Sequence, residues 1–335
     1  MQCVGIVANP ASGKDIRRLV ARASVFDNQE KQAIVKRALA GIFSVPGSDS
    51  LQIRYLNDGH GIVRTALESL APCLQQRHCA VVDAHTASAA DTTAAARALQ
   101  DMNVPVVLTL GGDGTNRAFA LGWQAAPLIP VSTGTNNVFP LLVEATVAGA
   151  AAGLIASGAV AASEVATQQK IIVVDIEDEA SDLALIDAVM VAERFIGARA
   201  LLAPEQLRVA VLTRADPAAV GVTAIGGLIN PVGRDEDAGL QIDFGEGSSV
   251  LAPFAPGLYR QIGITNHHKL ALEESVVVKG PGILAFDGER ERVLRSGQRA
   301  TLTISRSGPL LLDIQATLHL AASRGCFLAN ETGAS

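Results

Sequence analysis

Val106-Val107-Leu108-Thr109-Leu110-Gly111-Gly112-Asp113-Gly114-Thr115-Asn116 is the stretch that decides the fold. Its first half is an apolar, β-branched run of the kind buried in a parallel sheet, and it stops at a glycine cluster holding one carboxylate. Gly111, Gly112 and Gly114 can take positive φ and, lacking a Cβ, let backbone N–H groups reach phosphate oxygens. The helix expected over residues 116–125 turns its positive end to the same point. A carboxylate there is repelled by phosphate unless it has a task. Asp113 either ligates Mg²⁺ or takes a proton from an attacking hydroxyl. A plain strand-to-helix turn with Asp113 as N-cap accounts for the same residues without chemistry.

Upstream, residues 3–8, 51–56 and 80–83 read as strands, and residues 29–42, 61–70 and 88–100 as helices. This alternation implies right-handed crossovers, a parallel sheet, and ligands at the carboxyl ends of the strands, where both Asn9 and Asp113 fall. The turn Asn9-Pro10-Ala11-Ser12-Gly13-Lys14-Asp15 is not a Walker A loop, since no glycine stands at the required offset before Gly13 and Lys14 is followed by Asp15. It is either a polar surface loop or a phosphate contact through Lys14. Downstream, a strand at residues 127–131 opens onto Ser132-Thr133-Gly134-Thr135-Asn136-Asn137. That turn supplies hydroxyl and amide groups to ribose or phosphate, or simply caps a helix.

Beyond about Ala166 the texture becomes β-rich. Residues 170–177 and 183–192 read as a hairpin around the acidic turn at 178–182, and short apolar segments continue to about Ile314. We therefore expect an α/β domain over residues 1–165, a mostly antiparallel all-β sandwich over 166–314, and a segment 315–335 whose helix at 316–323 returns to the first domain.

The composition, 49% hydrophobic and 18% charged over 335 residues, fits an α/β protein with buried strands and excludes disorder. A net charge of −6 argues against a nucleic-acid binder. The four cysteines lack metal-ligand spacing and read as reduced thiols of a cytoplasmic protein. The Ala- and Gly-rich segment 141–162, with Gly149 and Gly153, reads as a helix packed closely on a sheet and not as a membrane span.

Together these motifs resemble the ATP-NAD kinase family and, within it, the acetoin-catabolism protein X group. Gly111-Gly112-Asp113-Gly114-Thr115 matches the family's glycine motif, and Gly221-Val222-Thr223-Ala224-Ile225 resembles its Gly-Ser-Thr-Ala-Tyr segment. Ala252-Pro253 through Arg260 resembles the later Pro-His-Ser-Leu segment, and Phe286-Asp287-Gly288-Glu289 falls at an Asp-Gly-Glu turn. The resemblance implies a Rossmann-like N-terminal domain joined to a β-sandwich, with the substrate between them. It implies ATP, Mg²⁺ and NAD, with Asp113 as the base that activates the 2′-hydroxyl of the NAD adenosine ribose. Asn9, Gly111, Gly112, Gly114, Thr115, Asn116, Thr135, Asn136 and Asn137 would hold the nucleotide; Asp187, Gly221, Thr223 and Ala224 the acceptor; Asp287 and Glu289 a Mg²⁺ ion. A homo-oligomer is implied as well.

The departures lie on the acceptor side. Ile186-Asp187 stands where the family has Asn-Glu, and Ile225 where it has tyrosine, whereas Asn9-Pro10 and Gly134-Thr135-Asn136 look more like the diacylglycerol and sphingosine kinase branch. The expected activity is therefore phosphorylation of NAD or a related acceptor. A lipid kinase, and a non-catalytic nucleotide-binding accessory or sensor of an acetoin operon, are the alternatives. His267-His268 has no partner at a helical metal-ligand offset, and Arg290, Arg292 and Arg295 read as a solvated strand face.

Overall fold

The computed structural model describes residues 2–12, 27–86, 88–134, 137–192 and 204–328, with the side chains of residues 289–291 left aside. Gly13, Lys14, Thr135, Asn136 and the side chain of Glu289 lie outside the described residues.

The first half alternates β1 (Cys3–Ala8), α1 (Asn28–Ser44), β2 (Gln52–Asn57), α2 (Ile62–Glu68), β3 (His78–Asp83), α3 (Ala89–Asp101), β4 (Val107–Gly111), α4 (Asp113–Gly122), β5 (Pro127–Ser132) and α5 (Ala145–Ser157). Side chains cap the helices where polar residues precede them: Asp27 accepts from Glu30 N, Ser88 from Ala90 N and Glu144 from Val147 N. The five strands are parallel and ordered β3-β2-β1-β4-β5, so the sheet reverses its direction of growth between β1 and β4. Helices cover both faces. α1, α2 and α5 pack on one through Ile34, Leu39, Val63 and Leu154, and α3 and α4 on the other through Leu99 and Phe119. A reversal of this kind leaves a crevice beyond the carboxyl ends of β1 and β4.

α5 settles the reading of the small-residue segment. Gly149 lies so close to α1 that a Cβ there would run into the Ala38 carbonyl oxygen, and one at Gly41 would meet the Thr146 oxygen from the other side. Gly149→Ala would gain roughly 1 kcal/mol of helix propensity. Backbone cannot yield as a side chain does, so forced separation should outweigh that gain, with a net loss of about 1–3 kcal/mol in denaturant unfolding. Among the described residues no helix is long and apolar enough to cross a membrane.

The second half is antiparallel. After α6 (Ala162–Val165) and β6 (Ala166–Gln168) come β7 (Ile171–Ile176), β8 (Asp182–Ala184), β9 (Asp187–Val191), β10 (Leu207–Leu212), α7 (Val222–Ile229), β11 (Ala238–Ala255), β12 (Leu258–Ala271), β13 (Ser275–Lys279), β14 (Gly282–Phe286), β15 (Glu289–Leu294) and β16 (Arg299–Ser305). They form a six-stranded sheet, β12-β11-β10-β9-β14-β15, and a four-stranded one, β13-β16-β7-β8. The sheets bury Val174, Met190, Leu284, Phe286 and Leu302 between them. α7 covers the outer face of the larger sheet through Val222 and Ile225.

Two expectations change. Residues 183–192 are two strands: β8 closes the hairpin with β7, and the chain then crosses at Leu185-Ile186 to enter the other sheet as β9. The segment at 310–314 does not belong to the sandwich. β17 (Leu310–Leu312) joins β5 in parallel and β6 antiparallel, completing a seven-stranded first sheet, and α8 (Ile314–Ser323) follows it onto the α5 side.

Candidate active site

The crevice is built from three strand ends. The loop after β1 is tied to the start of α4 by Asn9, whose Nδ2 donates to Thr115 Oγ1 at 2.8 Å. It is tied to the loop after β5 by Ser12 and Thr133, whose hydroxyls lie 2.8 Å apart. α4 begins at Asp113, three residues earlier than the sequence suggested, so Asp113 occupies the first turn. The carboxylate folds across to the third loop. Its Oδ1 accepts from Phe139 N at 2.7 Å and Val138 N at 3.1 Å, and its Oδ2 from Val138 N at 3.0 Å. The first-turn amides of Gly114 and Thr115 have no carbonyl four residues back within the helix, which is the ordinary source of anion affinity at a helix start.

The glycines serve close approach and not left-handed backbone. Gly111 ends β4, Gly112 has φ −102° and Gly114 is helical. A Cβ on Gly111 would collide with the Thr115 side chain, and one on Gly112 would come within 2.7 Å of Asn137 Oδ1. Asn137 itself donates to Ser132 Oγ at 2.8 Å. Asn116 is buried, accepting from Thr109 Oγ1 at 2.7 Å and donating to the Gly112 oxygen at 2.9 Å. Its amide is spent on shaping the turn, which removes it from the residues that could touch a nucleotide.

Lys31 went unread in the sequence. This fully buried ammonium donates to the carbonyls of Asn9, Pro10 and Ser12 at 3.0, 3.1 and 2.7 Å and so fixes the first loop from beneath. The signal was a cation in register with Ile34, Val35 and Ala38 on the apolar face of α1.

Asp287 and Gly288 form the β14–β15 turn, both with positive φ, +50° and +82°, as a two-residue hairpin of this handedness requires. The Asp287 carboxylate reaches into the crossover between the two β-sheets. Oδ1 accepts from Ile186 N at 2.7 Å and, with Oδ2, from Leu185 N at 3.1 Å. Burial pushes this acid up to about 7, against the opposing pull of Arg117 and of those amides. The expected Mg²⁺ role for Asp287 does not fit this arrangement, because both oxygens face backbone N–H groups. Among the described residues no group of three acids, histidines or cysteines could hold a metal ion.

Asp187, Thr223 and Ala224 are buried, and Gly221, with φ +85°, caps α7 and donates to the Pro253 oxygen at 2.9 Å. Ile225, at the tyrosine position, is core. The halves are clamped by Arg117 of α4, which donates to the Leu183 oxygen at 2.6 Å and to Asp182 Oδ1 at 2.7 Å while lying 4.9 Å from the centre of the Phe286 ring. Arg292, expected to be solvated, takes the other oxygen of Asp182 at 2.9 Å. Burial disfavours the Asp182 carboxylate, but Arg117, Leu183 N and Arg292 together hold it below the usual range.

Residues 4–160 match the family model of the ATP-NAD kinase N-terminal domain, and residues 170–307 that of the acetoin catabolism protein X C-terminal domain. The chain is 35% identical to acetoin catabolism protein X of Cupriavidus necator, over 95% of this chain and 92% of that protein. Yeast NADH kinase complexed with NADH superposes with a TM-score of 0.55 at 11% identity, covering all of this chain and 90% of the yeast chain. At that identity the likeness is one of fold.

Proposed function

As this chain belongs to the acetoin catabolism protein X family and carries an N-terminal domain of the ATP-NAD kinase type, we propose that it phosphorylates a hydroxyl, using ATP and Mg²⁺. The acceptor is NAD, at its adenosine 2′-hydroxyl, or a related small molecule, and the reaction is tied to acetoin catabolism. The observation that carries the reading is the meeting of Asn9, Thr115 and Asp113 at the point where the sheet reverses. There the loop after β1 and the first turn of α4 can receive phosphates, and a half-buried carboxylate stands beside them.

In this reading the acceptor oxygen attacks the γ-phosphorus, the bond to the β-phosphate oxygen breaks, ADP leaves, and Asp113 takes the hydroxyl proton. Phosphoryl transfer depends on positioning and charge more than on covalent help. The two amides on Asp113 weaken it as a base but fix its direction. Mg²⁺ is commonly held by one or two carboxylates together with substrate phosphates and water. Both Asp113 oxygens already accept backbone N–H groups, so the ion would be held chiefly by the substrate phosphates and water and would supply neutralisation of phosphate charge.

A second reading, a nucleotide-binding accessory without turnover, is favoured by the way both Asp113 oxygens are engaged and by Ile225, which offers no hydroxyl. ADP release with ATP and Mg²⁺ separates them when run with NAD, NADH, and anionic vesicles carrying diacylglycerol. We expect release that depends on the dinucleotide. Release only with vesicles would make the acceptor a lipid, and a rise in Tm with ATP but no ADP would support the accessory.

A further inference from the structure

Behind the crevice, at the seam between the first sheet and the sandwich, lies a small cleft, open to solvent, whose ionisable lining residues are all cations: Lys170, Arg214 and Arg234. Phe139, Leu185 and Thr213 complete most of its wall. The cleft adjoins both carboxylates already described, because Phe139 gives its N–H to Asp113 and Leu185 gives its N–H to Asp287. Its enclosed space is only about 10 Å³, so a ligand could present to it at most one charged group from the open side.

No acid lines the cleft, although Glu236 and Asp237 favour the charge of Lys170 from outside it. Lys170 is buried and anchored by two of its three donors, to the Gly233 oxygen at 2.9 Å and the Ala238 oxygen at 2.6 Å. Arg234 lies 3.5 Å from Asp235, an exposed pair of small worth. Arg214 follows β10 and, among the described residues, has no hydrogen bond or ion pair within 4 Å, although Asp113, Asp216 and Asp287 favour its charge from further away. Burial pulls it down to about 10 and Lys170 to about 8, so both remain cations at neutral pH. A guanidinium with no hydrogen bond or ion pair within 4 Å among the described residues, beside a second arginine and a lysine, is a fork for an oxyanion, and Arg binds such groups in two-pronged fashion.

We propose that this cleft is the anion subsite of the acceptor, taking a phosphate or carboxylate that the acceptor carries near its reactive hydroxyl and holding that hydroxyl toward Asp113. The proposal rests on the phosphotransfer reading for the identity of the carrier, whereas the oxyanion site itself does not.

Calorimetric titration of inorganic phosphate and, separately, malonate into the wild-type chain, Arg214→Met, Arg214→Lys and Arg234→Met tests the site, with ATP titrated into the same proteins. We expect one of the two anions to bind the wild type, at least tenfold weaker binding in R214M, an intermediate value in R214K, and at least threefold weakening in R234M. ATP affinity should stay within about twofold. Phosphate preferred over malonate makes the carried group a phosphate, and the reverse makes it a carboxylate. Anion binding equal in wild type, R214M and R234M would overturn the proposal, as would binding of neither anion by a folded wild type. Should R214M fail to fold, R214K and R234M decide in the same way. Failure of ATP to bind the wild type, with anion binding still dependent on Arg214, would sink the kinase reading and leave the subsite standing.

Discussion

Asp113→Asn should lower acceptor-dependent ADP release by a factor of about 10²–10⁴, the usual worth of a positioned general base, and should leave the protein folded. The fold survives because Asp113 Oδ1 alone accepts from both Val138 N and Phe139 N, so an asparagine oxygen in that place keeps both contacts. Among the described contacts, the second contact of Val138, to Oδ2 at 3.0 Å, turns into a donor facing a donor. That mismatch costs on the order of 1–3 kcal/mol at most. ATP should bind as well or better, because a carboxylate beside the phosphates is gone. Steady-state ADP release and an ATP titration on the same preparation check this, and turnover within about threefold of wild type would remove Asp113 from the chemistry.

Arg117→Ala should be strongly destabilising. Its pair with Asp182 is buried on both sides, at 10% and 3% side-chain exposure, and the same guanidinium satisfies the Leu183 oxygen and lies over Phe286. Breaking a buried pair from one side costs about 3–5 kcal/mol because a charge is left uncompensated. Arg292 keeps hold of the other Asp182 oxygen, so the lower end, about 3 kcal/mol, is expected. Arg292→Ala is the internal control. Its side chain is 45% exposed, and the loss should be on the order of 1 kcal/mol or less. Denaturant unfolding of the two variants should rank R117A well below R292A, and equal midpoints would mean that the clamp between the halves contributes little.

Much of this architecture was legible because it is encoded locally. The alternation of apolar runs with capped helices located β1 to β5 and their helices to within a few residues, and the glycine run marked the crevice. What was not legible is set by partners distant in sequence. Nothing between Leu183 and Val191 signals a break, because every residue there except Asp187 is apolar; the crossing is fixed by Asp287, a hundred residues later, whose carboxylate takes the Leu185 and Ile186 amides. The return of β17 to the first sheet is likewise a pairing and not a pattern. At the crevice, the positive φ expected at Gly111 and Gly112 is not adopted. The constraint is the Thr115 side chain and Asn137, which only the folded chain brings near. Arg214 carried no local signal at all, since a lone arginine after a strand looks like any surface cation until the sandwich closes over it.

The most direct measurement is the formation of NADP from NAD by the purified wild-type chain with ATP and Mg²⁺, with ADP quantified in the same samples. Phosphoryl transfer at Asp113 predicts NADP and ADP in equal amounts, both dependent on ATP and both lost in Asp113→Asn. No ADP above the acceptor-free control with NAD or with any other hydroxyl acceptor, from protein whose Tm rises with ATP, would contradict it and leave a site that binds nucleotide without using it.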